Sequence, residues 1–396
     1  MKRMAKWNWL RVIRDWKTRI LLALFLVFFG SFSMLYRQQN VTFPVSEMSA
    51  EYEDERQIYR LIPKNHFESE LGQEVQRRLG SNSVALGMSR YILGKRSGNE
   101  VEGLELLPDY IDSGRTLVEN NLFLFEATDF ESYDLLVDEY LPSYEEVVEQ
   151  ERFFDALETS GLDIEWNPFS TTQMTKTSID LLAGVSLFLL IAILAADHFT
   201  KDQMDNWSVT QGWPLPWKTQ WRLRSGYLWG LLWLVILSGI GISYVIGLQI
   251  ETSGSFHYPV SIYQTGGVHY IPMWQYLMIS VILSMALSYV LLLLTTGLSW
   301  IFNNIYITII LISLVFFVPG IWQLLPAFNS WQPSIYLNIH DVLQGRAAET
   351  TGLSGVVWWK ALIAYGLMII GLEWCFSKVF SYIPSTTAGL QRREET

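Results

Sequence analysis

Five histidines, one cysteine and a short glycine-basic stretch come nearest to catalytic or metal chemistry, and none has the spacing that such chemistry needs. His66, His198, His257, His269 and His340 form no H-E-x-x-H, the pattern that sets two imidazoles on one helical face. His257 and His269 share a segment with Glu251, and scattered loop histidines are the simpler reading than a metal site. "LGKRSG" at 93–98 hints at a phosphate loop, but that motif needs Gly five residues before Gly94 and Ser or Thr after the lysine. Ser89 and Arg96 stand there instead. The expectation is therefore no metal, no cofactor and no catalytic centre in this chain; it is not an enzyme by itself. Cys375 is alone, so no disulfide can form within the chain.

The remaining candidates are ionisable groups within apolar runs, which are functional suspects by default. Asp180, Lys360 and Glu373 are of this kind. All three fall close to the end of a run, where a long side chain can reach water at little cost. For Asp180 and Lys360 that boundary role is the preferred reading. For Glu373 a second reading stands beside it, an ion pair with a basic residue near the loop 197–224.

The elements that must position these residues are written in the composition. Half of the 396 residues are hydrophobic and 17% are charged, against roughly a quarter charged in a soluble domain. A bilayer core of about 30 Å takes roughly 20 apolar residues as helix. Six runs approach that: 20–36, 179–196, 225–248, 273–297, 301–325 and 356–376. The fold class expected is an all-α polytopic membrane protein with six transmembrane helices and a large, mainly helical extracellular domain between helices one and two.

Orientation follows from the Lys/Arg bias. Lys2, Arg3, Lys6, Arg11, Arg14, Lys17 and Arg19 place the N-terminus in the cytoplasm, as Lys378, Arg392 and Arg393 place the tail 377–396. The loop 197–224 carries Lys201, Lys218, Arg222 and Arg224, whereas 249–272 has no Lys or Arg and 326–355 only Arg346. The block 37–178 then lies outside. It holds 28 acidic and 12 basic residues, a net of −16, so the pI describes this block and no basic stripe for nucleic acid exists.

Within the block, "ESELGQEVQRRLG" and "YEEVVEQERFFDALETSG" read as helices with glycine stops, and "NNLFLFEAT" as more strand-like. At the N-terminus, 1–19 carries Trp7, Trp9, Leu10, Ile13 and Trp16 near helical spacing among basic residues, the pattern of an interfacial helix. No small-x-small cleavage site follows the first apolar run, so it is read as an uncleaved anchor.

The loop between runs two and three has the most pronounced composition. "DNWSVTQGWPLPWKTQW" at 205–221 spaces Trp213, Trp217 and Trp221 four apart. Pro214 and Pro216 keep the chain extended, so a helix starts from Trp217. Indoles beside Lys218, Arg222 and Arg224 describe a helix at the headgroup level, which alone would only link two spans.

The longer stretch "FTKDQMDNWSVTQGWPLPWKTQWRLRSGYLW" resembles the cytoplasmic loop of bacterial type-2 ABC exporter permeases. Phe199 and Asp202 match the start of that pattern, and Asn206–Trp207 stand where Gly-Thr is usual. Thr210, Gln211 and Pro214 or Pro216 match the middle, and Lys218 or Arg222 the end. The family's layout of an interfacial helix, one span, an outer segment and five more spans is reproduced. Pro319 and Gly320 in "FVPGIWQLLP" stand as the outer helix break, with 326–355 as the re-entrant segment.

The resemblance implies a coupling loop that docks on a separate ABC ATPase dimer, which binds the ATP and Mg. It also implies a second permease subunit, a surrounding lipid bilayer and a bacterial plasma-membrane location. A competing reading is a membrane-anchored sensor or immunity protein whose extracellular domain binds a peptide or lipid.

Overall fold

The computed structural model describes residues 14–97, 103–196, 217–302, 304–322 and 329–382. The chain is mostly helical, with one two-stranded sheet among the described residues. Three helices are long and apolar enough to cross a membrane: α10 (Trp217–Ile250), α11 (Met273–Phe302) and α15 (Trp358–Tyr382). A fourth span arises if α8 (Thr171–Leu181) and α9 (Leu187–Ala195) count as one bent pair. Two further apolar helices are shorter, α1 (Trp16–Gly30) and α12 (Ile305–Trp322). A common core of Phe29, Leu187, Ile191, Leu232, Ile236, Leu291 and Ile312 joins these helices.

The helix break does not fall where the sequence points. α12 stays helical through Pro319 and Gly320 to Trp322. The bend lies in the second apolar run instead, where α8 and α9 meet at 55°. A π-helical turn, Leu182–Ser186, joins them, and Gly184 leaves the helical region at φ −96°, ψ −146°. Ser186 Oγ donates to the Leu181 carbonyl, so the bend leaves that acceptor satisfied.

The N-terminal expectation also shifts. Residues 1–13 lie outside the described residues, and α1 already begins at Trp16, capped by Asp15 accepting from Thr18 N. Trp16, Lys17 and Arg19 thus belong to the first apolar helix, which breaks at Ser31 before α2 (Phe32–Tyr36).

The acidic block folds as a bundle of α3 (Pro44–Leu61), α4 (Glu70–Ser97), α5 (Gly103–Glu126), α6 (Tyr133–Glu139) and α7 (Tyr144–Ser160). α7 matches its reading: a Ser143–Glu146 capping box starts it, and Gly161 at φ 60° stops it. α4 does not stop at Gly80. The helix runs on through Gly80 and Gly87 to Ser97, with Tyr59 and Tyr52 of α3 at ordinary contact distance beside the two glycines. "NNLFLFEAT" is the end of α5 rather than a strand. Val118, Asn121 and Leu124 are buried at helical spacing, and that tertiary burial overrides local β-propensity.

The loop 249–272 holds a structure that composition did not announce. β1 (Pro259–Gln264) and β2 (Gly267–Pro272) pair antiparallel, and Gly266 and Gly267 take φ of 101° and 116° at the turn. The bundle rests on this hairpin. Arg152 of α7 donates to the Val268 carbonyl, and the Tyr270 hydroxyl to Glu149. Phe153 contacts the Tyr258 and Tyr270 rings. Within 326–355, a 3-10 turn (Pro333–Leu337) precedes α13 (Ile339–Leu343) and α14 (Arg346–Thr351), with Ile335, Tyr336, Ile339 and Val342 buried.

Candidate coupling site

Asp202, Asn206, Trp207, Gln211, Trp213, Pro214 and Pro216 lie outside the described residues. Among the described residues the chain resumes at Trp217, already within α10. Its first turns are fastened to two other helices. Trp221 is only 2% exposed and donates its indole N–H to Thr296 Oγ1 of α11 at 2.9 Å. Ser225 shares that hydroxyl at 3.0 Å, and the Trp221 ring lies 5.2 Å from that of Phe376 on α15. Arg222 forms an ion pair with Glu373, also on α15.

Glu373 is thus a partner of the loop's basic end, the second of its two readings. Trp221 departs from its expected role. Its surface is consumed inside the chain, so it offers no ring to a headgroup layer or to another protein. The half-buried Lys218 one turn earlier keeps a side chain toward the surface.

The sequence reading overlooked the receiving helix. Ser280, Ser284, Ser288, Thr295, Thr296 and Ser299 of α11 are all fully buried. Trp229 and Trp233 both donate indole N–H groups to Ser288 Oγ, at 3.0 and 2.9 Å. An indole N–H in an apolar core needs an acceptor, and small hydroxyl residues let the helices approach while supplying one. The recurrence of Ser every four residues from 280 to 288 was the available signal.

The Asp180 carboxylate is enclosed by partners rather than reaching into water. Lys176 Nζ lies 2.8 Å from its carboxylate, the Tyr276 hydroxyl donates to it at 2.7 Å, and His340 Nδ1 lies at 3.8 Å. The cluster holds α8, α11 and α13 together just before the bend at Gly184. Lys360 instead donates to Ser330 Oγ and the Gly355 carbonyl and sits over the rings of Trp331 and Trp359. Pro319 and Gly320 stay within α12, as described above. Among the described residues no three His, Cys, Asp or Glu side chains converge as metal ligands.

No protein-family model, curated protein or solved structure matches this chain.

Proposed function

We propose that the chain is the transmembrane permease subunit of a bacterial ABC exporter, with α1, α8–α9, α10, α11, α12 and α15 as its six spans. One observation carries this reading. The tryptophan-rich loop hands directly into a helix whose first turns are fastened, through Trp221–Thr296 and Arg222–Glu373, to α11 and α15. A push on the loop reaches three membrane helices at once, as a coupling element requires. A surface anchor needs no such fastening.

In this reading the loop 197–216, with Trp217 and Lys218, docks on the ATPase, which binds the ATP and Mg. A second permease subunit completes the path. The acidic bundle faces outward and the 326–355 segment re-enters from that side. The test is purification of the tagged chain from native membranes, with and without Lys218→Glu. An ABC ATPase that accompanies the unaltered chain and is lost from the variant supports the assignment. Failure of any ABC ATPase to accompany the unaltered chain sinks it, and the sensor reading then takes its place.

A further inference from the structure

Glu55 is the one fully buried carboxylate of α3. Neither carboxylate oxygen has a well-formed hydrogen bond among the described residues. A buried carboxylate without a partner is costly when ionised, so such a group stays neutral or leaves the interior.

Its surroundings are polar but already occupied with one another. Asn82 of α4 donates to Asn121 Oδ1 and to the Tyr140 hydroxyl, both at 2.9 Å, and Asn120 donates back to Asn82 at 2.8 Å. Arg78, the nearby cation of α4, is taken by Glu74 and by Asn120. The titratable groups facing Glu55 are Tyr59 of its own helix and Tyr140 after α6, and Glu51 one turn earlier also acts on Tyr140. None of them supplies a positive charge. Burial pushes the Glu55 carboxyl up from its ordinary 4.5 to about 7, and Ser83 beside it offsets only part of that.

We propose that Glu55 is a pH-operated latch for α3, holding that helix on the bundle while its carboxyl is protonated and releasing it on ionisation. The same helix carries Ile58 into the core, with Ile62 just after its last turn, so release uncovers apolar surface of α4 and α5. Only residues 37–43 separate α3 from α2, so the first apolar helix lies close to whatever α3 does. The latch is independent of the exporter reading, since it needs only the bundle.

The sign follows from the direction of the shift. A carboxyl that is harder to ionise when folded stabilises the closed bundle below its unfolded value near 4.5. That stability drains away as pH rises through about 7. Between about pH 5.5 and about pH 8.5, opening of α3 becomes about thirtyfold more frequent by linkage.

The experiment is hydrogen exchange on the full chain in lipid nanodiscs at those two pH values, corrected for intrinsic exchange rates. The unaltered chain should lose α3 protection by that factor, while Glu55→Gln, which keeps the shape and cannot ionise, should stay protected at both. His66 lies in the same bundle, bonded to Ser132 and beside Glu131, so His66→Gln must retain the full effect. Difference infrared spectroscopy gives a readout that does not depend on opening. A protonated-carboxyl band at neutral pH should vanish in Glu55→Gln. Protection of α3 that does not change with pH, or a dependence that survives Glu55→Gln, overturns the latch, as does absence of that band.

Discussion

Trp221 and Thr296 are joined across α10 and α11 by a buried 2.9 Å indole-to-hydroxyl bond, with the Phe376 ring against the indole. Side-chain bonds between membrane helices average about 0.6 kcal/mol, whereas emptying a buried tryptophan site costs about 3–5 kcal/mol. Thr296→Val should therefore lower thermal stability slightly and Trp221→Ala strongly, read as melting of the purified chain in detergent. Comparable losses from the two changes would mean that the ring's packing is not what fastens α10.

Arg222 and Glu373 make a partly exposed pair, 44% and 26% accessible, so its contribution to stability is about 1 kcal/mol at most. Its weight lies in geometry. Arg222→Glu and Glu373→Arg should each disrupt the position of α15 relative to α10, and the double exchange should restore it. Cysteine cross-linking between the ends of α10 and α15, in a Cys375→Ser background, reads this directly. A double exchange no better than either single change would separate the pair from the coupling path.

Topology can be read with thiol chemistry. A cysteine replacing Gln264, beside the turn of the hairpin, should react with an impermeant reagent on intact cells, again in a Cys375→Ser background. One replacing Gln203 should react only after lysis. The reverse pattern at either position would overturn the six-span arrangement proposed above.

The helical class and both ends of α7 were legible because each rests on a local rule: hydropathy or capping. The misread features depend on distant partners. Gly80 looks like a helix stop until α4 is seen packed along α3 and α5, and "NNLFLFEAT" looks extended until Asn120 and Asn121 are seen bonded to Asn82. Trp221 looks like an interfacial ring because its acceptor, Thr296, is seventy-five residues away. The bend at Gly184 lies inside an unbroken apolar run, where hydropathy carries no trace of it. The partners of Asp180 were hidden for the same reason: Tyr276 and His340 come from two later segments.

The bundle's dependence on the hairpin gives the last prediction. A fragment of residues 44–165 retains the core of Ile58, Val75, Leu79, Leu124 and Leu136, and should melt cooperatively as a helical domain. It loses, however, what the hairpin supplies to α7. The Arg152 bond to the Val268 carbonyl, the Tyr270 bond to Glu149 and the Tyr258 and Tyr270 rings against Phe153 would all be absent. Uncovering one large aromatic costs about 1.5–3 kcal/mol, enough to move the melting temperature of a domain this size by roughly 10 °C. Phe153→Ala in the full chain removes the same contact while leaving the hairpin present, so it should loosen α7 in hydrogen exchange to a similar degree. In the fragment, where the ring is already uncovered, that substitution should change little. A fragment as stable as the bundle within the full chain, or a Phe153→Ala cost that is equal in both settings, would mean that α7 does not draw its stability from the hairpin.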